Sequence, residues 1–260
     1  MTNVKLIVQY DGTRYHGFQR QNNLVTIQSE LERAFFSATG EEVVVRGAGR
    51  TDAGVHAEGQ VASAKLFRLK LPFDRLPVAL NAHLAPDIVV THAAPVPDDF
   101  DPRFSALAKT YRYRLFEGSY VSPFWRPYVY QVPADLDLAA MQAAAARLVG
   151  RHDFSSFRSA GSSATDPWRT VSRAALDETY VPLAPGREAR MLTFTIQADG
   201  FLYKMVRNIV GTLLLVGRGK LTPDGFAGVL DARDRTLAGP AAPAKGLCLV
   251  GVDYPPGLSA

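Results

Sequence analysis

A chain of 260 residues, 47% hydrophobic and 21% charged, is long enough to bury a real core in one large or two modest domains, which argues against intrinsic disorder. No apolar run approaches the roughly 20 residues a membrane span needs, and the start Met1-Thr2-Asn3-Val4-Lys5 lacks the long apolar core of a signal peptide, so the protein is expected to stay in the cytosol. The formal charge of +4 and pI near 9.2 suit a polyanionic partner, yet an excess this small is also common in proteins that bind no nucleic acid.

In chain order, residues 4–10 are rich in β-formers and meet the turn signal Asp11-Gly12, which predicts a first strand. Thr26 is placed to cap a helix with Ile27, Leu31, Ala34 and Phe35 on one face and Gly40 at its end. Two β-rich segments follow at 42–46 and 60–67, then a helix around 74–84 and a strand at 87–93. The order β-α-β-β-α-β recurs in the second half: a strand at 109–116, a helix at 136–149, strands near 169–179 and 190–197, a helix at 202–216 and a last strand at 247–252. The pattern predicts an α+β fold of two ferredoxin-like halves, residues 1–104 and 105–260, forming a mostly antiparallel sheet with a central cleft. Loops at 118–127, 159–167 and 238–246 read as surface insertions.

Several chemistries are excluded by spacing. The run Gly47-Ala48-Gly49 invites a dinucleotide-binding reading, but the third glycine of that fingerprint falls on Asp52. Around Gly217-Arg218-Gly219-Lys220-Leu221, Leu214 stands where a phosphate loop has its first glycine, and Leu221 replaces the hydroxyl residue. The five histidines are scattered without close pairing, so a metal site is not expected. The single cysteine, Cys248, sits in an apolar run and reads as a buried, inert thiol.

The chemistry concentrates in Gly47-Ala48-Gly49-Arg50-Thr51-Asp52-Ala53-Gly54-Val55-His56-Ala57, where glycines and small residues let a ligand approach one projected carboxylate, Asp52. An aspartate in a Gly-rich loop is more commonly a turn cap, but here the surrounding residues are more specific. The stretch Gly49 to Ala57 resembles the signature of the tRNA pseudouridine synthase A family around its nucleophilic aspartate. The resemblance extends through Tyr10-Asp11-Gly12-Thr13, Gly17-Phe18-Gln19, Lys109-Thr110-Tyr111-Arg112-Tyr113, His152-Asp153-Phe154, Met205-Val206-Arg207-Asn208 and Gly246-Leu247, in family order and over nearly the whole chain.

That resemblance implies isomerisation of uridine at positions 38, 39 and 40 of the tRNA anticodon arm, with no external cofactor and no metal, by a homodimer whose subunits share one tRNA. It puts Asp52 in the catalytic role, Arg207 as the cation that keeps its carboxylate ionised, Tyr111 as the ring that stacks on the target base, and Leu247 as an apolar wall. A base inside a stem must be flipped to be reached, and Arg50 either fills the vacated stack or contacts a phosphate. Arg20 and the arginines near Arg112 are candidates for phosphate contacts.

Read on its own, the helix at 202–216 has Met205, Ile209, Leu213 and Val216 on an apolar face and Lys204, Arg207 and Asn208 on a polar stripe. Strand alternation turns Tyr111 and Tyr113 inward together. Two other functions compete. A carboxylate-pair glycosidase would need Asp11 or Asp153 as its second acid, and a non-catalytic tRNA-binding module would not need an intact Asp52, Tyr111 and Arg207.

Overall fold

The computed structural model describes residues 1–132, 135–161, 164–184 and 186–258. Ser162 and Ser163, within the predicted 159–167 loop, lie outside the described residues. The elements run in chain order as β1 (Thr2–Tyr10), α1 (Ile27–Thr39), β2 (Arg46–Gly47), β3 (His56–Leu66), α2 (Leu76–Asn81), β4 (Ile88–Val96), β5 (Ala108–Glu117) and β6 (Tyr130–Val132). They continue as α3 (Leu138–Ala146), β7 (Gly150–Asp153), β8 (Trp168–Ala184), β9 (Arg187–Ala198), α4 (Met205–Gly217), α5 (Pro223–Ala232) and β10 (Leu247–Asp253). The expected α+β class holds, with mostly antiparallel strand pairing. Among the described residues no helix is long and apolar enough to cross a membrane.

The chain divides into two compact units, Met1–Lys109 with Cys248–Ala260, and Thr110–Leu247. In the first, the strand order is β4-β1-β3-β10, with β2 on β3. β1 is antiparallel to both β3 and β4, while β10 joins β3 in parallel through Cys248 opposite His56. The strand at the end of the sequence therefore completes the sheet of the first unit. Between Val8 and Tyr10 the β1–β3 register jumps, from Val8 opposite Gln60 to Tyr10 opposite Ala57; such a bulge re-aims nearby side chains. Val4, Leu6 and Val8 of β1 and Ile27, Leu31, Ala34 and Phe35 of α1 are all buried. Helix α1 forms as its signals dictate: Thr26 and Ser29 cap each other reciprocally, and Gly40 at φ 74° stops it where a side chain would be strained.

The strand expected at 42–46 shrinks to Arg46–Gly47. Val45 N donates to Glu32 Oε1 at 3.0 Å, and Glu41 accepts from the backbone N of Phe67 and Arg68 at 2.6 and 2.9 Å. Glu32 of α1 thus takes one backbone donor of this stretch that a ladder would use. Conversely β3 starts at His56 rather than 60, with His56 and Ala57 paired to β10 and Ala57 also to Tyr10 of β1, partners far away in sequence.

In the second unit the order is β5-β9-β8-β7, with β6 on β5. β8 and β9 form one long antiparallel hairpin, and α3 packs on β8 and α4. Helix α4 departs from the expected amphipathic reading, being buried nearly all round. Asn208, expected on a polar stripe, is 0% exposed. Its Nδ2 donates to Phe157 O at 2.8 Å and Ser159 Oγ at 3.1 Å, and its Oδ1 accepts from Arg235 Nη2 at 3.0 Å. A buried amide with partners on both ends is satisfied, so polarity did not mean exposure.

Candidate active site

In the first unit the loop before β3 presents Asp52. Val55 N donates to Asp52 O at 3.1 Å, closing a turn in which Gly54 has φ 77°. Phe18 N donates to Thr51 O at 3.1 Å, and Ala48 N to Val61 O at 2.8 Å. The Tyr10 hydroxyl and Thr51 Oγ1 share a hydrogen bond of 2.9 Å, while Gln60 Nε2 donates to Gly49 O at 2.9 Å and to the Tyr10 hydroxyl at 3.3 Å. Lys109 Nζ donates to Ala48 O at 2.6 Å. Two glycines let neighbouring segments close on the loop: a Cβ on Gly12 would stand 2.0 Å from Val55 O, and one on Gly17 (φ 89°) 2.6 Å from Thr51 O. The stretch from Tyr10 to Phe18 is therefore the cradle of the Asp52 loop. Asp52 itself is half-buried and Arg50 exposed.

Arg50 Nε donates to Gln19 Oε1 at 3.3 Å, and Gln19 Nε2 to Gln28 Oε1 at 2.8 Å. Gln28 Nε2 donates to Glu32 Oε1 at 2.9 Å, and Glu32 Oε2 is ion-paired with Arg20. One polar chain thus links Arg50 and Arg20 through the face of α1.

The second unit holds the remaining predicted side chains. In β5, Tyr111, Tyr113 and Leu115 are buried on one face, as alternation requires. The Tyr111 ring meets Phe201 edge-on, with centroids 5.0 Å apart and an interplanar angle of 81°. Tyr113 is committed elsewhere: its hydroxyl donates to Pro243 O at 2.7 Å, and burial pushes its pKa up, against the opposing pull of the Arg207 charge. Arg207, in the first turn of α4, donates from Nε to Ala242 O at 2.7 Å and accepts at its own O from Ala242 N at 2.9 Å. A Cβ on Gly246 would stand 2.6 Å from the Tyr113 ring, so the glycine before Leu247 lets that segment lie against it. Leu247 is buried.

The structure thus gathers Asp52, Arg50 and Arg20 around one cradle, and Arg207 and Tyr113 around residues 242–243, with Leu247 just beyond. Phe201, against Tyr111, was missed from sequence, although an aromatic between Gly200 and Leu202 ahead of a helix was a signal for it. Gln60 was missed as well, since one glutamine in a strand announces nothing. The carboxylates a glycosidase would enlist are both engaged. Asp11 Oδ1 accepts from Thr13 N at 2.9 Å and Thr13 Oγ1 at 2.5 Å; Asp153 accepts from Ser155 N at 2.9 Å and lies 3.5 Å from Arg233 Nε.

The chain is α+β and presents a half-buried Asp52 from a hydrogen-bonded Gly-rich turn, with the exposed Arg50 two residues before it. Comparison with known proteins gives the class its name. A family model described as tRNA pseudouridine synthase matches residues 6–105 and 144–255. The chain belongs to the tRNA pseudouridine synthase family. It is 46% identical over 254 residues to tRNA pseudouridine synthase A of Acetivibrio thermocellus, covering 98% of this chain and 100% of that protein. To proteins of the same name it is 44% identical in Thermoanaerobacter sp. (98% and 100% covered) and 45% identical in Agrobacterium fabrum (98% and 93% covered).

Proposed function

We propose that this chain isomerises uridine to pseudouridine at positions 38, 39 and 40 of the tRNA anticodon arm, with Asp52 as nucleophile and no external cofactor. The bond from base N1 to C1′ breaks, the base turns, C5 bonds to C1′, and the C5 proton is lost as N1 gains one. The target base leaves its stack at a cost of about a few kcal/mol. Tyr111 holds it by stacking, Leu247 walls the pocket, and the Arg207 charge keeps the Asp52 carboxylate ionised once water is excluded. Arg50 fills the vacated stack, and Arg20 contacts phosphate. In this reading residues 1–104 supply the nucleophile and residues 105–260 supply the ring and the cation. The working unit is a homodimer in the cytoplasm.

The observation that carries the proposal is the Asp52 turn: a half-buried carboxylate on backbone fixed by buried partners, in a chain of this family. The test uses tRNA transcripts tritiated at uridine C5, each with a single uridine at position 38, 39 or 40. Wild type releases tritium from all three. Asp52→Asn loses release by about four orders of magnitude or more while keeping tRNA affinity. Release retained by Asp52→Asn refutes the nucleophile, and release from only one transcript refutes the three-position reading.

A further inference from the structure

Three polar side chains are buried together beneath the Asp52 loop: Tyr10 (5% exposed), Thr51 (6%) and Gln60 (0%). Phenylalanine and valine would fill the space of the first two with no polar atom to bury. The trio is also not a complete hydrogen-bonded set. Only the Nε2 end of Gln60 can donate to Gly49 O, which leaves Gln60 Oε1 without a partner among the described residues. A buried acceptor in that condition costs stability, so stability does not explain why this cluster is polar.

What the cluster does is visible along residues 49–52. Gly49 is held at its carbonyl by Gln60, and Thr51 at its hydroxyl by Tyr10 and at its carbonyl by Phe18 N. The alternate residues are the ones displayed, Arg50 exposed and Asp52 half-buried. The β1–β3 bulge lies between the two side chains that do the holding, in the register jump from Val8–Gln60 to Tyr10–Ala57. Burial pushes the Tyr10 pKa up, so the phenol keeps its proton at any working pH and the contact does not switch off.

We propose that Tyr10, Thr51 and Gln60 are positioning residues that fix the direction of the Asp52 carboxylate, and that the Tyr10–Thr51 hydroxyl contact sets kcat rather than tRNA binding. The proposal rests on Asp52 being the catalytic carboxylate. Without the Thr51 hydroxyl the loop keeps its carbonyl bond to Phe18 but loses the contact that stops residue 51 from turning about it. Small misplacements of a reacting group cost rate far more than affinity.

The experiment is a double-mutant cycle read by tritium release and by tRNA affinity. Thr51→Val is expected to lower kcat about tenfold with KM and tRNA affinity within twofold, and Thr51→Ser to restore it. Tyr10→Phe reads the same contact from its other side and carries the test should Thr51→Val fail to fold. Because each hydroxyl acts through the other, the double variant is expected to be no slower than the worse single. Undiminished kcat in both singles overturns the proposal, as does a loss confined to KM or a fully additive double variant. Asp52→Asn, run alongside, separates the failures: if it is inactive while the singles are unimpaired, only the positioning role falls, and if it is active, the nucleophile assignment falls first.

Discussion

The loop at residues 49–55, which carries Arg50 and Asp52, and the start of α4, which carries Arg207, are held by different physics. Beneath Asp52, where Gly12 and Gly17 let backbone close in, buried side chains add directional contacts: a phenol, a threonine hydroxyl and a carboxamide. Around Arg207 they come from main chain and close packing. The 238–242 segment lies along α4, with Ala242 N donating to Arg207 O and Gly239 N to Thr212 Oγ1 at 2.9 Å each, and with Gly211 so near Pro240 that a Cβ there would stand 1.7 Å from its carbonyl oxygen. Directional polar anchors fail when one atom changes chemistry at constant volume. Packed backbone fails when volume is added at constant chemistry. The side-chain contacts under Asp52 and the backbone packed against α4 should therefore respond to opposite kinds of substitution.

The largest stability effect belongs to the packed region. Gly211→Ala adds one methyl where only backbone can yield, and the expected cost is about 3 kcal/mol, measured as a lower urea midpoint at unchanged m-value. Arg207 takes its Nε contact from the same segment, so the role proposed for Arg207 predicts that turnover falls as well. A cost under about 1 kcal/mol would mean that α4 and residues 238–242 part readily, and the contrast between the regions would dissolve.

A smaller effect separates the two tyrosines of β5. Tyr113→Phe removes a buried hydroxyl that donates to Pro243 O, and a hydrogen bond of this kind contributes about 1 kcal/mol. Stability should drop by that amount while kcat stays within twofold, since the hydroxyl is already committed to the fold. A large loss of kcat with unchanged stability would give the Tyr113 hydroxyl a part in turnover and overturn its assignment to the fold alone.

Where the sequence was legible, one local signal sufficed. Thr26 and Gly40 bound α1 because capping is decided within a turn of chain, and alternation in β5 placed Tyr111 and Tyr113 on one buried face. The tight turn at Asp52 was legible because glycines and small residues surround it. The illegible parts depend on distant partners. The first residues of β3 pair with β10, almost two hundred residues later, and Ala57 also with Tyr10 of β1, while at 42–45 the backbone N of Val45 goes to Glu32 of α1. β6 and β7 are too short for a periodicity. α5 is different, since Thr222 and Pro223 are a start signal that was present and not read. Asn208 shows the limit of polarity patterns: its amide is matched so fully that it belongs inside.

The smallest effect tests whether the polar chain across α1 has work beyond the fold. The Arg20 side chain is 59% exposed while Glu32, its ion-pair partner, is 8% exposed. Removing the arginine leaves Glu32 with donors from Gln28 and Val45 N, so Arg20→Ala should cost less than about 1 kcal/mol in stability. If Arg20 also contacts a phosphate, the same variant should weaken tRNA binding about threefold at moderate salt and flatten the plot of log affinity against log salt by about one unit. Glu32→Gln supplies the complement: it frees the guanidinium from its carboxylate, so affinity should hold or rise while stability falls. If Arg20→Ala leaves the salt slope unchanged, Arg20 serves α1 alone and its role in binding is lost. An equal fall in affinity in both variants would place the binding contribution in the geometry of α1, because a phosphate contact through Arg20 predicts that they diverge.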